Sequence, residues 1–190
     1  MSNGRCDWCG DDPQYVDYHD TQWGRPVFDK LELFEKLCLD GQQAGLSWLI
    51  ILRKTESYRA AFDGFDPHKI AQYDEQKVEA LLQNPGIVRN RLKVNSIIRN
   101  ARAFLAMEEQ GVDFSAFLWS FVNHQTIVNQ RLSMSEVPAT SPESDAMSKA
   151  LKKAGFNFVG STICYAFMQA VGMVNDHLVG CPQYHECQKD

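Results

Sequence analysis

No apolar run in this chain approaches the ~18 residues of a membrane span; the longest notable stretch is 46–52, and Ser47 interrupts it. The N-terminus, Met1-Ser2-Asn3-Gly4-Arg5-Cys6, lacks the apolar segment of a signal peptide. These absences argue against a membrane or exported protein, and a soluble cytoplasmic one is expected. Positive charge is also short: the formal net charge is −5. A nucleic-acid partner would therefore have to be met by a local basic surface, because phosphates favour cationic partners. Repeats and low-complexity tracts are missing. Two-residue alternation is scarce, which excludes a sheet-built fold. The 190 residues, 44% of them hydrophobic, suffice for a single core, so one all-α domain over 1–190 is expected.

Helical spacing runs through the chain. Asp29 suits an N-cap for a helix carrying Leu33, Phe34, Leu37 and Cys38. Ser47 suits the next, with Leu49, Ile50, Leu52, Tyr58 and Phe62, and Asp74 opens a third with Val78, Leu81 and Leu82. After Pro85-Gly86 a longer segment carries Val94, Ile97, Ile98, Ala101, Phe104 and Leu105, ending near Gly111. Later helices are expected over 114–121, 144–153 and 159–171. The segment 133–144, with Pro138, Ser141 and Pro142, reads as a surface loop.

Six cysteines in a chain without export signals point to metal before disulfides. Cys6, His19, His177 and Cys181 stand out at the two ends. His177 and Cys181 are spaced to share a helix face, and a Cys₂His₂ set would close a tetrahedral zinc shell. Cys9, His185 and Cys187 compete as ligands, and spacing alone does not choose among them. Cys38 and Cys164 sit in apolar helical contexts and read as core thiols.

Trp8, Tyr15, Tyr18, Trp23 and Trp48 concentrate in the first quarter of the chain, where core filling is the default role of such rings. Asp40 is harder to read as filler. It falls near the C-terminal end of an apolar helix, where the helix dipole disfavours a carboxylate, and two glycines and two amides follow it. Such a placement hints at function, although a solvated aspartate would fit the same pattern.

The segment Cys38-Leu39-Asp40-Gly41-Gln42-Gln43-Ala44-Gly45-Leu46-Ser47-Trp48 resembles the signature of the 3-methyladenine DNA glycosylase I family, the constitutive bacterial type of the helix-hairpin-helix superfamily. So do Tyr18-His19-Asp20 with Gln22-Trp23-Gly24, and Trp119-Ser120-Phe121-Val122-Asn123-His124. Lys149 to Phe156 running into Phe158 to Tyr165, and Val174-Asn175-Asp176-His177 with Gly180-Cys181, extend the similarity in consistent order over nearly the whole chain.

The resemblance implies a helix-hairpin-helix glycosylase fold, with the hairpin unit around 74–105 and one structural zinc ion joining the termini at 6–19 and 177–181. It selects Cys6, His19, His177 and Cys181 as ligands. It further implies a flipped base held by Trp8, Tyr15, Tyr18 and Trp48, with Asp40 as the catalytic carboxylate that hydrogen-bonds the base. One position departs, because the family typically carries Glu where this chain has Asp40. The missing methylene shortens the reach by ~1.5 Å, so the base would be met through water or by a backbone shift.

Gly86-Ile87-Val88-Arg89-Asn90-Arg91 resembles the family's hairpin, whose backbone N–H groups suit a phosphate. From Gly86 to Arg102 the chain carries Arg89, Arg91, Lys93, Arg99 and Arg102 and no acid, which supplies a local basic surface. Lys149, Lys152 and Lys153 form a second basic candidate. By family analogy Gln42, Gly45 and Leu46 face duplex DNA, with Leu46 filling the gap left by the extruded nucleotide.

The expected activity is monofunctional hydrolysis of the N-glycosidic bond of 3-methyladenine in alkylated double-stranded DNA, by a monomer working in the cytoplasm with the nucleoid. No lysine is identifiable as a Schiff-base nucleophile, so no strand cleavage is expected. The alternatives are a non-catalytic zinc-containing DNA-binding relative and a zinc hydrolase, which would need an open coordination position.

Overall fold

The computed structural model describes residues 4–190; the first three residues of the N-terminal stretch read above lie outside the described residues. Ten α-helices and two short strands are found among them. Helix α1 (Pro13–Thr21) starts at Asp12, whose carboxylate accepts from Tyr15 N, with Pro13 at the first helical position. In α2 (Lys30–Gln42) the Asp29 cap accepts from the N–H groups of Leu31 and Glu32, and Leu33, Phe34, Leu37 and Cys38 face inward. Ser47 precedes α3 (Trp48–Ala61) but makes no side-chain cap bond. Two short helices follow, α4 (Pro67–Ile70) and α5 (Glu75–Leu81), the second capped by Asp74 as expected.

The longest helix, α6 (Arg91–Glu109), is capped by Asn90 and buries Val94, Ile97, Ile98, Ala101 and Phe104. Helix α7 (Phe114–Trp119) tightens into a 3₁₀ turn over Ser120–Val122. Helix α8 (Pro142–Ala154) begins earlier than its apolar pattern indicated, because Ser141 and Ser144 form a reciprocal capping box around Pro142. The expected loop therefore ends at Ser141. Helices α9 (Ser161–Ala170) and α10 (Gln183–Glu186) complete the set. The strands β1 (Ile127–Val128) and β2 (Val174–Asn175) pair in parallel, Ile127 opposite Val174. No helix among the described residues is long and apolar enough to cross a membrane.

Helix α2 lies at the centre and packs against α3, α6, α7 and α9. Its Leu33, Phe34 and Leu37 join Ile51, Ile97, Phe104, Phe114 and Phe167 in one continuous core. Each such side chain contributes roughly 1.5–3 kcal/mol by leaving water, which fixes α2 and hence the residues at its C-terminal end.

A buried polar chain fastens that end to the turn between α5 and α6. Tyr58 donates to Gln42 Oε1 (3.0 Å) and accepts from Val88 N (3.1 Å). Gln42 Nε2 donates to Lys93 O (3.0 Å), and Lys93 Nζ donates back to Gln42 O (2.9 Å) and Ala44 O (2.6 Å). The turn runs so close to α3 that a Cβ at Gly86 would stand 2.7 Å from Ser57 Cβ. The hairpin and the end of α2 thus form one rigid unit.

Candidate active site and metal centre

Cys6, His19, His177 and Cys181 are all buried, and their ligand atoms lie within 4.8 Å of one another. Cys181 Sγ stands 3.6 Å from His19 Nε2 and 3.7 Å from His177 Nδ1, and Cys6 Sγ is 3.7 Å from the same His177 Nδ1. A tetrahedral zinc ion, with Zn–S ~2.3 Å and Zn–N ~2.0–2.1 Å, requires sulfur–nitrogen edges of about 3.6 Å. The cluster fits one structural zinc ion per chain. Four protein ligands close the shell, so the site offers no position for substrate, and the zinc-hydrolase alternative loses its basis.

The surroundings are arranged for the metal. His19 Nδ1 meets Asp20 Oδ1 at 2.8 Å, and Arg5 holds Asp20 through three contacts of 2.8–3.0 Å. The second nitrogen of His177 faces Trp23 O at 3.1 Å. Each imidazole is thereby oriented with its ligating nitrogen inward. A hydrogen bond from Cys6, with further ones from His177 and His19, holds the Cys181 thiol well below the usual thiol range, which favours the thiolate that a metal takes. Gly24 is required here, since at φ +85° a Cβ would stand 2.8 Å from His177 Nε2.

The metal centre backs directly onto an aromatic cavity of about 310 Å³. Its lining includes Trp8, Tyr15, Tyr18, Trp23, Asp40 and Trp48, so every sequence-predicted base-pocket residue is brought together. Trp8 follows Cys6 by two residues and Tyr18 precedes His19, so the cluster that holds the ligands also aims these rings. Trp8 meets Tyr15, Trp23 and His19 edge-on at centroid distances of 5.0, 4.9 and 5.2 Å. Trp48 tilts toward Tyr18 at 5.7 Å. Among the described residues, the buried side-chain nitrogen and oxygen atoms without a hydrogen-bond partner are Trp8 Nε1, Trp48 Nε1 and Asp40 Oδ2. All three residues line this one cavity. Buried polar groups are nearly always paired, so two orphan donors and an orphan acceptor among aromatic faces suit a flat, polar-edged heteroaromatic ring.

Asp40 lies in the last turn of α2, as expected, and is 3% exposed, which removes the solvated-aspartate reading. Burial pushes its carboxyl up, while Lys36 one turn earlier pulls it back. Lys36 Nζ is 3.0 Å from Asp40 Oδ1 and 3.3 Å from the Trp48 ring centroid. Sequence reasoning missed Lys36, although its four-residue spacing from Asp40 was a usable signal. It also missed the wall formed by Thr162, Tyr165, Ala166 and Gln169 of α9, and Met134, Val137, Pro138 and Ala139 from the segment read as an ordinary loop.

The expected DNA-facing residues divide. Gln42 is fully buried, with both ends of its amide engaged by Tyr58 and Lys93, so instead of lying at the surface as expected of a DNA-facing residue it braces the end of α2. Gly45 is exposed and Leu46 half-buried on a tight turn closed by Leu46 N to Gln43 O (2.7 Å) and Gln43 Nε2 to Leu46 O (2.8 Å). The Gly86 N–H is taken by Asn84 Oδ1 at 2.8 Å, so it is not available to a phosphate in this arrangement. Arg91 pairs with Glu75 (2.6 Å) and with Glu79. Lys93 caps α2, and Arg102 donates to Ala71 O and Tyr73 O. Arg89 and Arg99 are the exposed arginines of this stretch that make neither an ion pair nor a side-chain hydrogen bond among the described residues.

Residues 8–185 match the family model described as methyladenine glycosylase. The chain is similar to DNA-3-methyladenine glycosylase 1 of Escherichia coli (strain K12), 57% identical over 180 residues that cover 95% of this chain and 96% of that protein. DNA-3-methyladenine glycosylase of Haemophilus influenzae is 55% identical over 178 residues, 94% and 96% of the two chains. A crystal structure of 3-methyladenine DNA glycosylase I superposes with a TM-score of 0.93 at 57% identity, covering 94% of this chain and 98% of that one.

Proposed function

The chain belongs to the methyladenine glycosylase family, and from that membership we propose that it excises 3-methyladenine from alkylated duplex DNA by hydrolysis of the N-glycosidic bond. The fold is the helix-hairpin-helix glycosylase fold, with 74–105 as the hairpin unit of one domain spanning the chain. The observation that carries the reading at atomic level is the trio of unpartnered polar atoms, Trp8 Nε1, Trp48 Nε1 and Asp40 Oδ2, in an aromatic cavity of a size that fits one base.

Methylation at N3 leaves the base cationic within DNA. As the glycosidic bond breaks, its electron pair passes to the base, which departs neutral and needs little acid assistance. Water adds to the sugar carbon and loses a proton, leaving an abasic site. The protein's tasks are extrusion, recognition and charge stabilisation. Extrusion costs a few kcal/mol, less for a damaged base. Stacking on Trp48 with support from Trp8, Tyr15 and Tyr18 offsets this by ~1–3 kcal/mol per base, and the cation adds attraction to the ring faces. Asp40 supplies an acceptor for the base and negative charge for the sugar cation that develops. The Lys36 ammonium is held by Asp40 and the Trp48 ring, and the reaction is read as hydrolysis without strand cleavage.

Arg89 and Arg99, the arginines of this stretch left without a partner among the described residues, meet the phosphates, while Gly45 and Leu46 enter the space the base vacates. Every named group lies on one chain, so a monomer suffices, acting in the bacterial cytoplasm on the nucleoid. Zinc is structural: when bound by Cys6, His19, His177 and Cys181 it pins the termini and steadies the cavity wall.

The test is release of methylated purines from alkylated DNA by the native protein, Asp40→Asn and Asp40→Glu. The native protein is expected to release free 3-methyladenine with matching abasic sites and no strand breaks. Asp40→Asn keeps the shape but loses the charge and should be slower by roughly 10²-fold. Asp40→Glu should stay within about tenfold of native, because it keeps the charge and restores the longer reach. A native protein that releases no base sinks the reading; an Asn variant at full rate removes Asp40 from it.

A further inference from the structure

Asp40 carries a buried charge in a cavity walled by rings, and burial alone would favour its neutral, protonated form. The groups facing it are few. From α1, Tyr18 is a phenol pushed well above its ordinary range by burial, and from α9 Cys164 is pushed up to about 12, so both are neutral. From α2 itself comes Lys36, the one cation against it, pulled down by its own burial and held up by the charge and hydrogen bond of Asp40. Lys36 is held from two sides: Asp40 Oδ1 lies 3.0 Å away, and the ammonium rests 3.3 Å above the Trp48 centroid and 5.6 Å from that of Tyr18. Its stem is mostly buried, with 17% of the side chain exposed. The ion pair engages Oδ1 and leaves Oδ2 as the unpartnered acceptor.

We propose that Lys36 is a positioning residue for the glycosylase reaction: by pairing with Asp40 Oδ1 across one helical turn, it keeps the carboxylate ionised inside the cavity and directs the free Oδ2 to the base. This rests on the base-pocket reading of the cavity given above. It also gives the short Asp40 side chain a fixed geometry, since a carboxylate tied at one oxygen by its own helix has one remaining oxygen to offer. The contact with Trp48 adds a second consequence, because Lys36 links the carboxylate and the stacking ring into one assembly.

The test compares native protein, Lys36→Met and Lys36→Arg by two readouts. The first is the pH profile of 3-methyladenine release. The second is the Asp40 carboxyl-carbon NMR titration, assigned by its loss in Asp40→Asn. Loss of an opposite charge at this distance should raise the Asp40 titration point by about 1–3 pH units in Lys36→Met, and the acid limb of base release should move up with it. Lys36→Arg should keep the native values for both. An unmoved carboxyl titration in Lys36→Met overturns the proposal, as does a moved titration with an unmoved acid limb. If the native protein releases no base, the enzymatic reading fails and takes the positioning role with it; the carboxyl titration then shows separately whether Lys36 governs the charge of Asp40.

Discussion

Trp48→Ala should reduce release of 3-methyladenine by roughly 10–100-fold while weak binding to duplex DNA persists. The magnitude follows from stacking, worth ~1–3 kcal/mol for each base set against an aromatic face, with a further cation–π component for a positively charged ring. Trp48 opens α3, and its indole is half-buried, so it can face a bound base without leaving a large void in the core. Its Nε1 has no partner to lose. The variant should therefore fold, with little change in Tm, and the loss should appear in single-turnover base release. Binding to undamaged duplex should barely change, because the phosphate contacts proposed above do not involve Trp48. A Trp48→Ala protein that excises at the native rate would remove the stacking model.

His177→Ala should lose bound zinc and lower Tm by about 10 °C or more. His177 is central to the cluster, its Nδ1 lying 3.7 Å from both cysteine sulfurs. Structural zinc binding is folding free energy, and losing several kcal/mol of it lowers Tm by ~2–4 °C per kcal/mol in a chain of this size. The effect should reach the cavity as well, because Trp8 lies two residues from ligand Cys6 and Tyr18 directly precedes ligand His19. Base affinity should therefore fall together with metal content. Chelation of the native protein should reproduce both effects, measured by elemental analysis and calorimetry. Unchanged zinc content in the variant would show that the ligand set is wrong.

The long amphipathic helices were legible in sequence because each pays its stability through one buried stripe. Leu33, Phe34 and Leu37 in α2, and Val94, Ile97 and Ala101 in α6, keep the 3.6-residue period, and Asp29 and Asp74 mark helix starts. Helix α1 escaped that reading. Its inward residues are Tyr18 and His19, which serve the cavity and the metal instead of the apolar core, so its apolar period is faint. The strands escaped because two residues each are too few for alternation to show.

The site divides along similar lines. The metal ligands and aromatic rings are chemically distinctive residue types, and they attracted notice before any coordinates. Lys36 did not, because a lysine four residues from an aspartate on a helix usually marks an exposed ion pair of small worth. The α9 wall is made of small or common side chains, and only the fold carries it to the cavity. Charge counting also overstated the hairpin's basic face: Arg91, Lys93 and Arg102 are engaged within the protein, leaving Arg89 and Arg99. Gln42 misled for the same reason, since an amide beside glycines reads as surface while its partners Tyr58 and Lys93 are distant in sequence.

The rings of this cavity, and not those of the core, are held to grip the alkylated base, and the chain's 4 tryptophans provide the comparison. Titrating isotope-labelled protein with 3-methyladenine while following the indole N–H resonances reads this directly. Trp8 and Trp48, whose buried Nε1 atoms lack partners, should shift on binding. Trp119, buried at 2% exposure and donating to Val27 O at 2.8 Å, should stay in place. Resonances of Trp8 and Trp48 that remain still at saturating base, or move no more than that of Trp119, would contradict the account.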